Sequence, residues 1–184
     1  GIADAPVPES VVSSPAENPQ RTFRGGWDVL DDSVMARFAA GVSMIVGTVS
    51  PDGRRLAFAT WGPQPASLAV LDLATGSMSI ILTVDHDPDG FRHPRWSPDG
   101  RRIVLEHQTW TGGAEDQIVD SAIGIVDLDA PSPRFTPITE PAMWAAYPDW
   151  HPTEDRIVFS TRPWSELDDG PSNLYTIRPD GSGT

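Results

Sequence analysis

Short apolar runs alternate with tight polar turns along most of this chain, and the alternation keeps a fixed register. Leu56-Ala57-Phe58 follows Ser50-Pro51-Asp52-Gly53, and Ile103-Val104-Leu105 follows Ser97-Pro98-Asp99-Gly100. Ile157-Val158-Phe159 follows Pro152-Thr153-Glu154-Asp155. Each run begins five positions after its Pro. Phe58, Leu105 and Phe159 then share one strand face, because side chains alternate with period two. The turns have a stated chemistry: Pro51, Pro98 and Pro152 pre-set φ, Asp52 and Asp99 bond their own backbone, and Gly53 and Gly100 accept φ > 0. The β-branched and aromatic content of the runs marks them as strands.

The turn prolines lie 47 and 54 residues apart. Each unit divides into short strands. The first gives 42–49, 55–61, 67–73 and 78–83. The second gives 93–97, 102–109, 121–128 and 135–139. The third gives 145–150, 156–162 and 173–178. Third strands align as Leu68-Ala69-Val70-Leu71-Asp72, Ile123-Gly124-Ile125-Val126-Asp127 and Leu174-Tyr175-Thr176-Ile177-Arg178. Four-stranded antiparallel units at such a period are the mark of propeller blades. The prediction is an all-β chain of blades in an incomplete ring, with 42–49, 93–97 and 145–150 innermost. A single blade cannot bury both faces, so neighbours must stack. A β-sandwich offers similar strand numbers but does not explain turns that recur in register.

Trp96-Ser97-Pro98-Asp99-Gly100-Arg101-Arg102-Ile103-Val104, with Ile123 to Leu128 and then Pro137-Ile138-Thr139, resembles the WD40-like repeat of TolB-type propellers. Asn173 to Gly181 matches its third-strand portion. The resemblance covers 42–184, as blades 42–83, 93–139 and 145–184. It departs at Val49, which replaces the Trp before the first turn, and at Pro152-Thr153-Glu154-Asp155. It implies a non-catalytic, extracytoplasmic module that binds a protein partner or an adjacent domain. Two alternatives stay open: a propeller gating a prolyl-oligopeptidase-like serine peptidase, and the sensor domain of a membrane-anchored regulator. The family closes about six blades, so the chain is expected to be a piece of a longer protein. Its uncovered blade faces are expected to make it self-associate or fold only marginally.

Ahead of the repeats, residues 1–20 carry Pro6, Pro8, Pro15 and Pro19 and read as a linker. The lead-in 21–41 reads either as a strand over Thr22 to Leu30 or as a short helix capped at Asp31-Asp32-Ser33. Composition agrees with frequent turns: 16 Gly and 19 Pro exceed the usual share of about 12% for the two together. A formal charge of −13 argues against nucleic acid and anionic membrane surfaces as partners. There is no Cys, hence no disulfide framework and no thiolate metal site. No apolar run is long enough to insert in a membrane.

Candidate chemistry is sparse. Trp61, Trp110 and Trp164 recur ten to twelve residues after their turn prolines and would emerge on one propeller end. They read as loop anchors or as an aromatic binding rim. Asp85, Asp87 and Asp89 have the spacing of a calcium loop, but Trp96 stands where its closing Glu belongs, so an acidic connector is the plainer reading. His86, His93, His107 and His151 are dispersed, and no nucleophile elbow occurs. The sequence therefore assigns no catalytic residue and no cofactor.

Overall fold

The structure is a computed structural model that describes residues 43–61, 65–85, 89–110, 118–140, 143–163 and 172–183. The linker 1–20 and the lead-in 21–41 lie outside them. The described strands form three antiparallel meanders. The first joins β1 (Ser43–Val49), β2 (Arg55–Trp61), β3 (Ser67–Asp72) and β4 (Met78–Thr83) in that order. The second joins β5 (Gly90–Trp96), β6 (Arg102–Trp110), β7 (Ile118–Asp127) and β8 (Thr136–Pro137). The third joins β9 (Met143–Trp150), β10 (Ile157–Pro163) and β11 (Asn173–Ile177). Among the described residues these antiparallel sheets follow the strand order expected of blades and do not close into a ring. No helix among the described residues is long and apolar enough to cross a membrane.

Element ends differ slightly from the prediction. The fourth strand of the second blade shrinks from 135–139 to Thr136–Pro137, where Pro137 has no N–H to give the ladder. The first strand of that blade starts at Gly90 and the third at Ile118, both earlier than turn chemistry alone indicated.

The first two turns close as their residues require. The Gly53 and Gly100 amides donate to the Ser50 and Ser97 carbonyls, at 2.9 and 2.8 Å. The glycines sit at φ 72° and 69°. The Ser50 and Ser97 hydroxyls each donate to the turn Asp at 2.5 Å, and each accepts the Arg amide that opens the next strand at 2.9 Å. The third turn has His151, Thr153 and Glu154 at the positions of Ser, Asp and Gly. The His151 Nδ1 accepts the Glu154 amide there at 2.9 Å, while its amide donates to the Arg156 carbonyl at 2.8 Å as the Ser50 and Ser97 amides do to Arg55 and Arg102.

Two apolar clusters lie between successive sheets. Ala57, Ala59 and Leu68 of the first blade meet Phe91, Trp96, Ile103, Leu105 and Val126 of the second. Val104, Ile123 and Ile125 of the second meet Ala145, Trp150, Ile157 and Phe159 of the third. Each contact ends in the same polar device. The buried Trp96 indole N–H donates to the Thr48 carbonyl at 2.9 Å, and the Arg55 guanidinium lies 4.5 Å over its ring. The Trp150 N–H donates to the Arg95 carbonyl at 3.2 Å, with Arg102 4.8 Å over that ring. Thr48 and Arg95 occupy the same repeat position, as do Arg55 and Arg102.

Two outcomes follow from the turns. Gly100→Val places a β-branched residue at positive φ, with its Cβ 3.4 Å from the Arg55 Nη2 atom. A loss of about 1–3 kcal/mol is expected in denaturant unfolding; unchanged stability would show that the turn relaxes at no cost.

The second outcome concerns acid. The Ser50 and Ser97 hydroxyls, then backbone amides and nearby Arg charges, hold the Asp52 and Asp99 carboxyls below the ordinary 3.8. Folding thus favours their charged forms. That stability is complete above the ordinary carboxylate range and is lost as pH falls through the lowered values. The melting temperature of an Asp52→Asn, Asp99→Asn double variant should fall less steeply below pH 4 than that of the parent.

Candidate functional site

Propeller inner strands are interrupted here in a repeated way. In β5, Arg92 pairs with Glu106 and Arg95 with Val104, so His93 and Pro94 together face Leu105. In β9, Ala146 pairs with Ser160 and Asp149 with Val158, so Tyr147 and Pro148 face Phe159. In β1 the residues at 46 and 47 face Phe58 in the same manner. Each is a β-bulge of two residues against one, and the second position holds Gly47, Pro94 or Pro148. Pro at that point sacrifices no ladder N–H. The first position carries the distortion: His93 has φ 50° and Tyr147 φ 56°, the non-glycine residues in left-handed backbone among those described. Such residues cost about 1–3 kcal/mol and persist where their surroundings over-determine them.

What holds His93 is a buried polar network between the second and third blades. Its Nδ1 lies 3.0 Å from the Glu106 Oε2 atom. Glu106 is fully buried, and its Oε1 accepts the Gln108 Nε2–H. The Ser121 hydroxyl lies 3.2 Å from that same Oε1 and 2.8 Å from the Ala145 carbonyl, and so links both blades. Burying a carboxyl group costs free energy unless donors surround it; here His93 and Gln108 flank the carboxyl, and the single Ser121 hydroxyl proton is shared between it and the Ala145 carbonyl. With Nδ1 engaged, the ring orientation of His93 is fixed and Nε2 is its remaining polar atom. The Tyr147 ring packs on His93 with centroids 4.6 Å apart, yet the residue remains 59% exposed. The two tilted rings pair the first strand of the second sheet with the first strand of the third. Gln108 Oε1 and Thr161 Oγ1 are buried without a partner nearby.

The sequence-derived candidates fall elsewhere. Trp61 and Trp110 do come together, edge to face at 6.0 Å and 62°. Arg92 lies 5.0 Å from the Trp61 ring and 5.9 Å from the Trp110 ring. The Trp61 ring sits so close over Gly90 that a Cβ there would fall 2.3 Å from it. Both indoles thus anchor the first blade to the second; Trp164 lies outside the described residues. Asp89 is buried and accepts the Trp110 amide at 3.2 Å, while Asp85 is exposed and Asp87 lies outside the described residues. Among the described residues no three His, Cys, Asp or Glu side chains group to hold a metal. His107 packs against Phe91 and Phe135, and burial lowers its pKa despite the raising effect of nearby Asp89, Asp120 and Asp85.

Sequence reasoning passed over Glu106, Gln108, Ser121 and Tyr147. One signal was available: aligned on the turn Pro, Glu106 falls where the other blades have Ala59 and Ser160. A long acidic side chain in a strand position otherwise held by small residues needs partners. Glu106→Ala should cost about 1–3 kcal/mol in chemical denaturation, because it leaves buried donors unpaired, and Glu106→Gln should cost less. Parental stability for Glu106→Ala would mean that the network contributes nothing.

No protein family's sequence profile matches the chain, and no curated protein matches it either. Solved structures do. A putative TolB from Agrobacterium tumefaciens superposes with TM-score 0.58 at 21% identity, over 79% of this chain and 49% of that one. An oligogalacturonate lyase solved in complex with manganese gives 0.57 at 18%, over 79% and 40%. A prolyl endopeptidase gives 0.51 at 19%, over 78% and 21%. The chain thus spans half or less of the length of each. At these identities the likeness is one of fold, and together with the three in-register meanders it makes this chain a run of β-propeller blades.

Proposed function

We propose that these blades belong to a non-catalytic, extracytoplasmic propeller that binds a protein partner through its inner-strand surface. The observation that carries this reading is Tyr147. A large aromatic residue is held in left-handed backbone, packed on His93 and left more than half exposed. Rigid, partly exposed aromatic side chains are enriched among the residues that dominate protein interfaces. Buried Glu106 fixes His93 from behind, which reduces the ordering cost of binding. The acidic chain would favour a partner with a basic contact surface. Likeness to a prolyl endopeptidase favours a second reading, a propeller that adjoins a hydrolase domain of its own polypeptide.

A photo-crosslinking amino acid at position 147 of the full-length protein, expressed in its source cells, tests both. A discrete adduct with another protein, absent when the probe stands at exposed Leu73, is expected. Adducts confined to the same polypeptide would favour the second reading. Equal labelling from both positions would remove Tyr147 as a contact.

A further inference from the structure

The turn between β9 and β10 differs from the first two in one chemical respect. At the residue before the turn Pro those two blades carry Ser50 and Ser97. A hydroxyl keeps its donor and its acceptor capacity at any physiological pH. The third blade carries His151 there. Its Nδ1 accepts the Glu154 amide at 2.9 Å and lies 3.4 Å from the Thr153 amide. An imidazole nitrogen accepts only while its lone pair is free. The contact therefore assigns His151 as the neutral ring with its proton on Nε2.

Protonation undoes this contact directly. An imidazolium donates from both nitrogens. Its Nδ1–H would face the Glu154 N–H, two donors at hydrogen-bond distance, so one must withdraw. Histidine is the side chain whose charge changes between about pH 5 and 8. The His151 side chain is 44% exposed, so solvent delivers the proton freely.

The charged groups around the ring supply its second arrangement. Glu154 Oε1 lies 4.0 Å from Nε2, and Glu154 Oε2 lies 3.4 Å from Arg156 Nε. The next residue, Asp155, holds Arg102 of the second blade at 2.9 Å. Arg102 in turn lies 3.9 Å from Asp99 and 4.8 Å over the Trp150 ring. A charged His151 draws the Glu154 carboxylate away from Arg156 and repels the amide of the same residue. Glu154 cannot satisfy both edges of an imidazolium, so the turn has two discrete states.

We propose that residues 151–156 form a proton-operated latch, closed on the neutral His151 ring and opened when that ring takes up a proton. Opening releases the Glu154 amide and moves Asp155, the carboxylate that Arg102 uses. The contact of the second blade with the third then loosens in mild acid. The bond that holds the latch is present while the ring is neutral and is lost as pH falls through the histidine range. The Ser-built turns of the other two blades do not respond there.

Three forms of the whole protein provide the test. His151→Asn keeps an acceptor oxygen in the place of Nδ1 and takes up no proton. His151→Ala removes the acceptor. Hydrogen exchange at the Glu154 amide, corrected for the intrinsic effect of pH, is read at about pH 7.5 and about pH 5.5. Protection in the parent is expected to fall about fivefold, as for the loss of one hydrogen bond. It should stay constant in His151→Asn and be low at both pH values in His151→Ala. The Trp150 indole N–H resonance should move across the same range in the parent and hold still in His151→Asn. Equal loss of protection in the parent and in His151→Asn would overturn the proposal. Histidine-selective nitrogen spectra of the unsubstituted protein give an independent reading. At about pH 7.5 the His151 ring should carry its proton on Nε2. A proton on Nδ1 would mean that the ring does not accept the amide, and the latch would fall.

Discussion

A four-stranded sheet of this size has two faces and can cover neither by itself. Everything in these blades answers that constraint. Apolar burial supplies most of the attraction between sheets, but it is non-directional and would tolerate many relative placements. The indole N–H of Trp96 or Trp150 does not. A buried donor must reach an acceptor, and the acceptor in each case is one carbonyl of the preceding inner strand. The Arg stacked on the outer ring face closes the contact to solvent. One hydrogen bond of about 1 kcal/mol and one cation–π contact of similar size add little to total stability. Their importance is that they select a single register among many greasy ones.

The inner-strand bulges are the second ordering feature, and they follow from the first. A strand that must place its Trp against one neighbour and its earlier residues against another benefits from a change of facing partway along. Two residues opposite one provide that change. It concentrates distortion at His93 and Tyr147, whose surroundings hold them there. In the second blade the space behind the bulge is filled by Glu106, Gln108 and Ser121 rather than by alkyl groups. Polar filling of an otherwise apolar junction is what separates this blade from its neighbours.

The architecture was legible because turns are local. Ser-Pro-Asp-Gly specifies its conformation within four residues, and strand periodicity reports a half-buried sheet without knowledge of the other half. Even the degenerate third turn kept its place, since Ile157 and Phe159 preserved the spacing and His151 supplied the missing acceptor. The site was much less legible. Nothing near Glu106 in sequence shows that it meets His93, thirteen residues earlier, or that its neighbour Ser121 touches the third blade. The tryptophans were noticed for recurring at strand ends, yet Trp61 and Trp110 are committed to Arg92 and to one another. The tryptophans that set the architecture, Trp96 and Trp150, looked from sequence like ordinary consensus residues. Recurrence marks a structural duty, and the exception to it, an acid among small residues, marked the more specialised place.

The indole donors bond to main-chain oxygens, not to side chains. A carbonyl is present whatever residue carries it, and indeed Thr48 and Arg95 serve equally well. Inner strands can therefore drift in composition without loosening the junctions they anchor. Blades built this way behave as exchangeable parts with a common fitting. Duplication, loss or shuffling of whole repeats needs only the Trp and the Arg to travel together, and the exposed inner surface is left free to diversify toward whatever it must recognise.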